Sequence, residues 1–240
     1  MKYLLIFIVA AHGLIHLMGF ARAFNLASFE QLRVPISQPL GLLWLAAALL
    51  FLLSAVLLVA APNWWWAPAL VAILISQSVI VTAWSDAKFG TLANLIVFVP
   101  ALVAGLGYAP WSYRAQYERD AAAALVAAPA QTAPVTEADV AHLPPIVQRY
   151  MRFAGVIGQP GVANYRLHFH GALRNGPNDA WMPIEADQQS VVAPAERMFL
   201  VDATMFGLPT TAYHRYRGPE ATFAVRVASL VQVVDARGPE

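Results

Sequence analysis

The chain has 240 residues, of which 59% are hydrophobic and only 12% are charged. A typical soluble domain has about a quarter charged residues, so this composition is typical of a chain that removes much of its surface from water. The net charge of +1 gives no basic surface for nucleic acid, which is not expected as a partner. The absence of cysteine excludes disulfides, thiolate nucleophiles and Cys-ligated metal centres.

Four apolar runs without Asp, Glu, Lys or Arg occupy most of the first 110 residues. They are about Tyr3–Phe20, Pro39–Ala61, Trp64–Trp84 and Thr91–Tyr108. A helix needs about 20 apolar residues to cross a bilayer core of roughly 30 Å, and runs of about 17–25 residues suffice. Residues 1–110 are therefore predicted to form a four-helix transmembrane region. We expect a multi-pass protein of the cell membrane, with the lipid bilayer as its first partner.

The first run has a second interpretation, because Ala21-Arg22-Ala23 has the small-x-small form of a signal-peptide cleavage site. The length of the run and its two histidines favour a retained helix. Four spans would place both termini on one side of the membrane. Three Lys or Arg residues flank the spans on each side, so the positive-inside rule leaves the sidedness undecided. Only the free α-amino group favours the cytoplasm for both termini and for the domain that follows the spans.

His12 and His16 are the most suggestive side chains in these runs, because a spacing of four residues places both imidazoles on one face of a helix. Three interpretations stay open: hydrogen bonds to polar residues of neighbouring helices, contact with a quinone or lipid head group, and binding of a metal ion or haem. The runs contain no carboxylate to complete a metal site, so the first interpretation is favoured and no cofactor is expected. The available polar residues are Ser54, Ser76, Gln77, Ser78, Thr82 and Asn94.

Residues 111–142 are predicted to be a juxtamembrane segment and an Ala/Pro-rich linker, with the tether at 121–134. Thr136 and Asp139 have the spacing of a helix N-cap motif. Residues 143–240 are predicted to form an α+β domain with one curved antiparallel sheet, in which a helix at Ile146–Ala154 packs its apolar stripe on the strands. The predicted strands are Asn164–Arg174, Trp181–Val192, Arg197–Ala203, Thr210–Arg217 and Ala221–Asp235.

His168 and His170 form a second histidine pair. Residues two apart in a strand point to the same face, so these imidazoles could share a metal ion with Glu185 or Asp187 of the next strand. Two arginines flank the pair and would repel a divalent cation, which favours a solvated strand face without metal. If the domain is an enzyme, its acid–base candidates are Glu185, Asp187 and His214.

Four sequence segments resemble an uncharacterised bacterial membrane-protein family that is known as a domain of unknown function. They are Gly13–Phe20 (GLIHLMGF), Pro144–Gly158 (PPIVQRYMRFAGVIG), Trp181–Gln188 (WMPIEADQ) and Val233–Glu240 (VVDARGPE). The resemblance implies a four-helix membrane region before a β-rich soluble domain, and it brings no established activity. It also implies that family members continue beyond residue 240.

The favoured function is a membrane anchor for a β-rich domain that binds a lipid or another hydrophobic molecule. The alternatives are an enzyme acting on an envelope or lipid substrate, and a structural or signalling partner of another membrane protein. The apolar alternation over Ala221–Asp235 also needs a partner strand and a covering layer. We therefore expect the natural product to continue beyond Glu240, and expect an open sheet with exposed apolar side chains near residues 221–234.

Overall fold

The computed structural model describes residues 2–129, 133–174, 176–205 and 207–239. It divides into two compact units, Met1–Gly107 and Tyr108–Glu240. Among the described residues, the first unit is helical, and the second contains three helices and a six-stranded antiparallel sheet. The expected order of helices followed by an antiparallel sheet is confirmed.

All four apolar runs are helical. The helices of this unit are α1 (Lys2–Ala23), α2 (Gln38–Ala60), α3 (Trp66–Thr82), the short α4 (Trp84–Ala87) and α5 (Gly90–Leu106). Of the described helices, only α1 and α2 are long and apolar enough to cross a membrane by length and composition. The α3 and α5 helices are apolar but have 17 residues each, because α3 begins only at Trp66 and ends at Thr82 before the α4 turn, and α5 ends at Leu106.

Glycines allow α1 and α2 to pack closely. A Cβ atom at Gly19 would overlap the indole ring of Trp44. A Cβ atom at Gly41 would overlap the Cβ atom of Ala23. At Gly13 the nearest atom would be Phe51 Cβ, at 3.0 Å. Small residues at helix interfaces let backbones approach in this way, which explains why the GLIHLMGF segment begins and nearly ends with glycine.

We expect Gly19→Ala to lower the free energy of unfolding by about 1–3 kcal/mol, because the added methyl group must displace the buried Trp44 ring. Thermal unfolding of the detergent-solubilised chain measures the effect. Gly13→Ala is the matched comparison, since its Cβ contacts are near the limit of ordinary packing rather than overlapping. Equal melting temperatures for wild type and Gly19→Ala would contradict this packing account.

The second unit begins with α6 (Tyr113–Ala127), followed by α7 (Glu137–Val140) and α8 (Pro145–Phe153). Residues 113–127 thus form a helix where the sequence suggested a segment leaving the membrane and the start of a tether. Alanine is the strongest helix former, and the Ala-rich second half of α6 accounts for this difference. The part of the tether at 130–132 lies outside the described residues.

Of two predictions about the short helices, one is confirmed and one is wrong. Thr136 and Asp139 form the capping box at the start of α7. The apolar stripe of α8 does not pack on the strands: no residue of α8 is buried, and Phe153 is 90% exposed. It is α6 that packs on the sheet instead.

The six strands form a meander in which each strand pairs with its neighbours in sequence. They are β1 (Asn164–Leu173), β2 (Met182–Val191), β3 (Glu196–Met205), β4 (Leu208–Arg217), β5 (Glu220–Val227) and β6 (Val231–Pro239). The predicted single strand Ala221–Asp235 is wrong, because it is a hairpin of β5 and β6. Its turn places Ala228 and Ser229 at φ values of +53° and +58°, a conformation that glycine or asparagine usually marks.

Candidate functional site

The two faces of the sheet differ in chemistry. On one face, which we call the α6 face, the side chains of Met198, Leu200 and Tyr213 form a core with Tyr113 and Tyr117 of α6. Because side chains alternate along a strand and registered partners share a face, the other side chains lie on the opposite, open face. Its apolar residues include Tyr165, Leu167, Phe169, Leu173, Ile184, Ala186, Phe199, Val201, Ala212, Phe223, Val225 and Val231.

Large side chains of the open face remain in contact with solvent. Leu167 is 41% exposed, Phe169 40% and Phe223 39%. Smaller residues between them are buried, as at Ala186 and Val225. An exposed apolar surface this continuous is characteristic of a site for a lipid, a hydrophobic ligand or a protein partner.

Charged groups surround the α6 core. Arg114 of α6 pairs with Asp202, and Arg215 lies 3.1 Å from Asp120 of α6 and 3.5 Å from Glu196. Burial raises the pKa of Asp202, and the Arg114 guanidinium opposes that rise. Burial, together with donation of its hydroxyl proton to Asp120 at 2.7 Å, raises the pKa of Tyr213.

A cavity of about 390 Å³ lies on the α6 face beside β4, β5 and β6. Its lining includes the arginines Arg215, Arg217, Arg226 and Arg237 together with Glu220 and Asp235. Within the described part of the chain, the buried Nε of Arg215 has no hydrogen-bond partner. The cavity is therefore polar and basic, which sets it apart from the open face.

The structure places the acid–base candidates on both faces of the sheet. Glu185 and Asp187 pair in register with Asp202 and Leu200, so they lie on the α6 face. His214 pairs with Phe199 and lies on the open face, where its ring packs 5.4 Å from that of Phe223. The sheet backbone separates His214 from both acids, so these three residues are not brought together as one acid–base group.

His168 and His170 lie opposite Asp187 and Glu185 in the β1–β2 ladder. His168 Nδ1 is 3.2 Å from Asp187 Oδ1, and Arg166 donates to the same oxygen at 3.0 Å. Burial opposes ionisation of Asp187, but these two hydrogen bonds outweigh it and hold its pKa below the ordinary value. Among the residues that the structure describes, no group of three or more His, Asp or Glu side chains could hold a metal ion.

Five polar residues of the apolar runs meet inside the helical unit. His12 Nε2 lies 2.9 Å from Asn94 Oδ1, and His16 Nε2 lies 2.9 Å from Ser76 Oγ. Ser76 and Gln77 complete the cluster, at 3.0 Å and 3.1 Å from Asn94. We call His12, His16, Ser76, Gln77 and Asn94 the polar cluster. It joins α1, α3 and α5, while Ser54, Ser78 and Thr82 bond to backbone carbonyls of their own helices.

A second cavity, of about 400 Å³, adjoins the polar cluster within the helical unit. His12, His16 and Trp44 line it together with apolar residues of α1, α3 and α5. Trp44 is 3% exposed, and its Nε1 has no hydrogen-bond partner among the described residues. Sequence reasoning missed Trp44, because a tryptophan in an apolar run is ordinarily a packing residue.

Asp86 lines this cavity and accepts hydrogen bonds from the segment between α1 and α2. Its Oδ2 accepts hydrogen bonds from the backbone nitrogens of Arg33 and Val34, at 2.6 Å and 2.7 Å. The bond from Val34, followed by that from the Ser85 hydroxyl, holds the pKa of Asp86 below its ordinary value. The carboxylate therefore ties the segment between α1 and α2 to α4.

A known protein family matches the part of the chain that contains the sheet. A DUF6544 domain spans residues 133–240. DUF6544 is a family of unknown function, so the match confirms the expected resemblance to an uncharacterised family and carries no activity. No curated protein and no solved structure matched the chain.

The DUF6544 domain contains the whole open face and both candidate groups on β1 and β2. The α6 helix that packs against its sheet precedes the matched residues. The polar cluster and its cavity also lie outside the DUF6544 domain.

Asp86→Asn should lower the melting temperature near pH 7, because the amide keeps the shape of the side chain but loses its charge. A carboxyl with a lowered pKa stabilises the fold above its ordinary pKa of about 4 and loses that contribution as the pH falls through the lowered value. The difference between wild type and variant should therefore disappear in acid. Thermal unfolding as a function of pH measures it. Glu30→Gln, a charge change in the segment that Asp86 contacts, is the control, and a pH-independent difference would contradict this account.

Proposed function

We propose that the chain is a four-span membrane protein whose DUF6544 domain binds a lipid or another hydrophobic molecule on the open face of its sheet. The observation that carries the proposal is the continuous apolar surface on the side of the sheet opposite α6. The helices would hold this binding surface at the bilayer, where such molecules are concentrated.

Membrane insertion is supported by the polarity of the helical unit, which has apolar side chains outside and polar ones inside. Leu4, Phe7, Leu74 and Leu92 are at least 60% exposed, whereas the polar residues His16 and Ser76 are buried. A water-soluble bundle shows the opposite distribution. Helices of 17 residues are about 26 Å long, slightly less than a bilayer core of roughly 30 Å. Tryptophans at 64–66 and 84 lie at the two ends of α3, where they suit the interface and would complete this span.

The proposed topology places both termini on one side, and we favour the cytoplasm. Reporter fusions after Arg33, Asn63, Asp86 and Glu118 should alternate in location, because each successive span reverses the side of the membrane. Fusions after Arg33 and Asn63 on the same side would contradict four spans. An N-terminus at Ala23 in the mass spectrum of the purified protein would instead support a cleaved first helix and three spans.

Ligand binding on the open face is supported by the arrangement of its aromatic residues. The rings of Phe169 and Phe199 are 6.0 Å apart and nearly perpendicular, on adjacent parts of β1 and β3. Together with Leu167 they form part of the exposed apolar surface of the open face, and exposed apolar patches mark sites for ligands or partners. Burying it against an acyl chain would gain about 25 cal/mol per Å² of apolar surface removed from water.

The full chain purified in mild detergent should carry a co-purifying lipid or hydrophobic molecule in near-stoichiometric amount, detected by extraction and mass spectrometry. Phe169→Thr and Phe199→Thr should reduce that amount, because they remove apolar contact while keeping good strand residues. His170→Thr is the matched control in β1, since its side chain lies on the α6 face. Protein free of such a molecule, or equal loss in the control, would contradict the proposal.

A further inference from the structure

The cavity of the helical unit combines an apolar wall with a small polar region. Ile15, Met18, Leu32 and Ile80 contribute apolar surface, and Phe89 contributes an aromatic ring. The polar region comes from His12, His16 and Trp44, together with Gln31 and Asp86. The Oδ2 atom of Asp86 already accepts hydrogen bonds from the loop backbone. Cavities of roughly 300–1,000 Å³ with an apolar lining and a few fixed polar groups are the usual form of small-molecule sites.

The hydrogen bonds of His16 fix the position of its proton. His16 Nδ1 lies 2.9 Å from the backbone carbonyl oxygen of His12, which can only accept, so Nδ1 carries the proton. In the neutral imidazole, Nε2 must then accept, and Ser76 Oγ is the donor at 2.9 Å. The single hydroxyl proton of Ser76 is used in this bond.

The Asn94 side chain must therefore donate to Ser76 rather than accept from it. A half-turn of the amide, which exchanges its oxygen and nitrogen, lets the NH₂ group donate to both Ser76 Oγ and His12 Nε2. A matching half-turn of Gln77 preserves the bonds to Asn94 and Thr91. The other orientation requires an imidazolium at His16, whose side chain is buried and forms no ion pair among the described residues, so the charged form is disfavoured.

Two residues that line the cavity have an N–H donor without a partner among the described residues. With His12 Nε2 accepting from Asn94, the proton of neutral His12 is on Nδ1, which has no hydrogen bond among the described residues. Trp44 Nε1 is likewise unpaired and buried. An unsatisfied buried donor costs about 1–3 kcal/mol, so Trp44 Nε1 favours a ligand that brings an uncharged acceptor oxygen. His12 Nδ1 offers a second donor from the lining of the same cavity.

We propose that this cavity binds the ring of a lipid-soluble quinone, whose carbonyl oxygens accept hydrogen bonds from Trp44 Nε1 and His12 Nδ1. Two acceptors on a planar apolar ring match two donors beside aromatic side chains: the rings of His16 and Trp44 are 5.1 Å apart, and Phe89 completes the wall. The inference rests on the membrane part of the proposed function, because such quinones dissolve in the bilayer. It is independent of the ligand of the sheet.

The experiment titrates the full chain in detergent with menadione, a short quinone, and measures saturable quenching of tryptophan fluorescence together with the shift in melting temperature. Trp44→Phe removes the N–H group and keeps an aromatic ring. His12→Gln keeps a group at the position of Nε2 to bond Asn94 and removes Nδ1. Each variant should bind about 5- to 10-fold more weakly, the effect of one lost hydrogen bond. Trp84→Phe, a change of an exposed tryptophan outside the cavity lining, should bind as wild type does.

A change of ligand tests the same hydrogen bonds without a mutation. The dimethoxy analogue of menadione keeps the ring but replaces both carbonyl groups, so it should bind the wild-type chain at least about 5-fold more weakly. Phe169→Thr in the sheet should leave menadione binding unchanged, which separates this inference from the ligand of the open face. Absence of saturable binding, or equal affinity in wild type, Trp44→Phe and His12→Gln, would overturn the proposal. A stoichiometric phospholipid that menadione does not displace would overturn it as well.

Discussion

The hydrogen bonds of the polar cluster are the interaction on which the helical unit depends. They connect α1, α3 and α5 through side chains that are buried among apolar residues. In a bilayer, apolar helix surfaces gain little by packing on one another, because lipid tails are as apolar as leucine. Specific polar contacts and close approach at glycine then determine which helix faces meet. Gly19 serves the second purpose, since it lets α1 lie against the Trp44 ring of α2.

Much of this architecture follows from local sequence patterns. Apolar runs predict the helices and the alternation around Phe169 predicts β1, because burial in a helix or a strand leaves a period in the sequence. The β5–β6 turn has no comparable pattern in the sequence. Ala228 and Ser229 adopt a positive φ without glycine or asparagine, and apolar residues continue on both sides of the turn. The same limit applies to α8, whose amphipathic pattern does not say whether its apolar side meets the sheet, a membrane or a partner.

The candidate sites are likewise predicted only in part by the local sequence. A spacing of four residues places His12 and His16 on one face of α1, and polar residues in other runs supply a short list of partners. Which of them bond to histidine depends on helix packing, which a single sequence does not contain. Trp44 is an example of this limit, because nothing in its local sequence distinguishes an unpaired indole N–H group from an ordinary core residue. Likewise, strand register alone separates His214 from Glu185 and Asp187.

The open and α6 faces of the DUF6544 domain divide binding chemistry between two sides of one sheet. One side offers apolar contact, and the other has a basic cavity that contains four arginines. An amphipathic molecule has the same two components, but the sheet backbone lies between the two surfaces. A single small ligand of the domain would therefore contact only one of them.

The unbroken β1 to β6 order of the sheet has a consequence for how the chain folds. Every strand pairs only with strands adjacent to it in sequence, so each closure spans a short loop and costs little chain entropy. During synthesis, β1 and β2 can pair as soon as both have left the ribosome, and each later strand adds to an existing edge. The helices before them emerge earlier and can form before the sheet exists, so the two units can fold in the direction of translation.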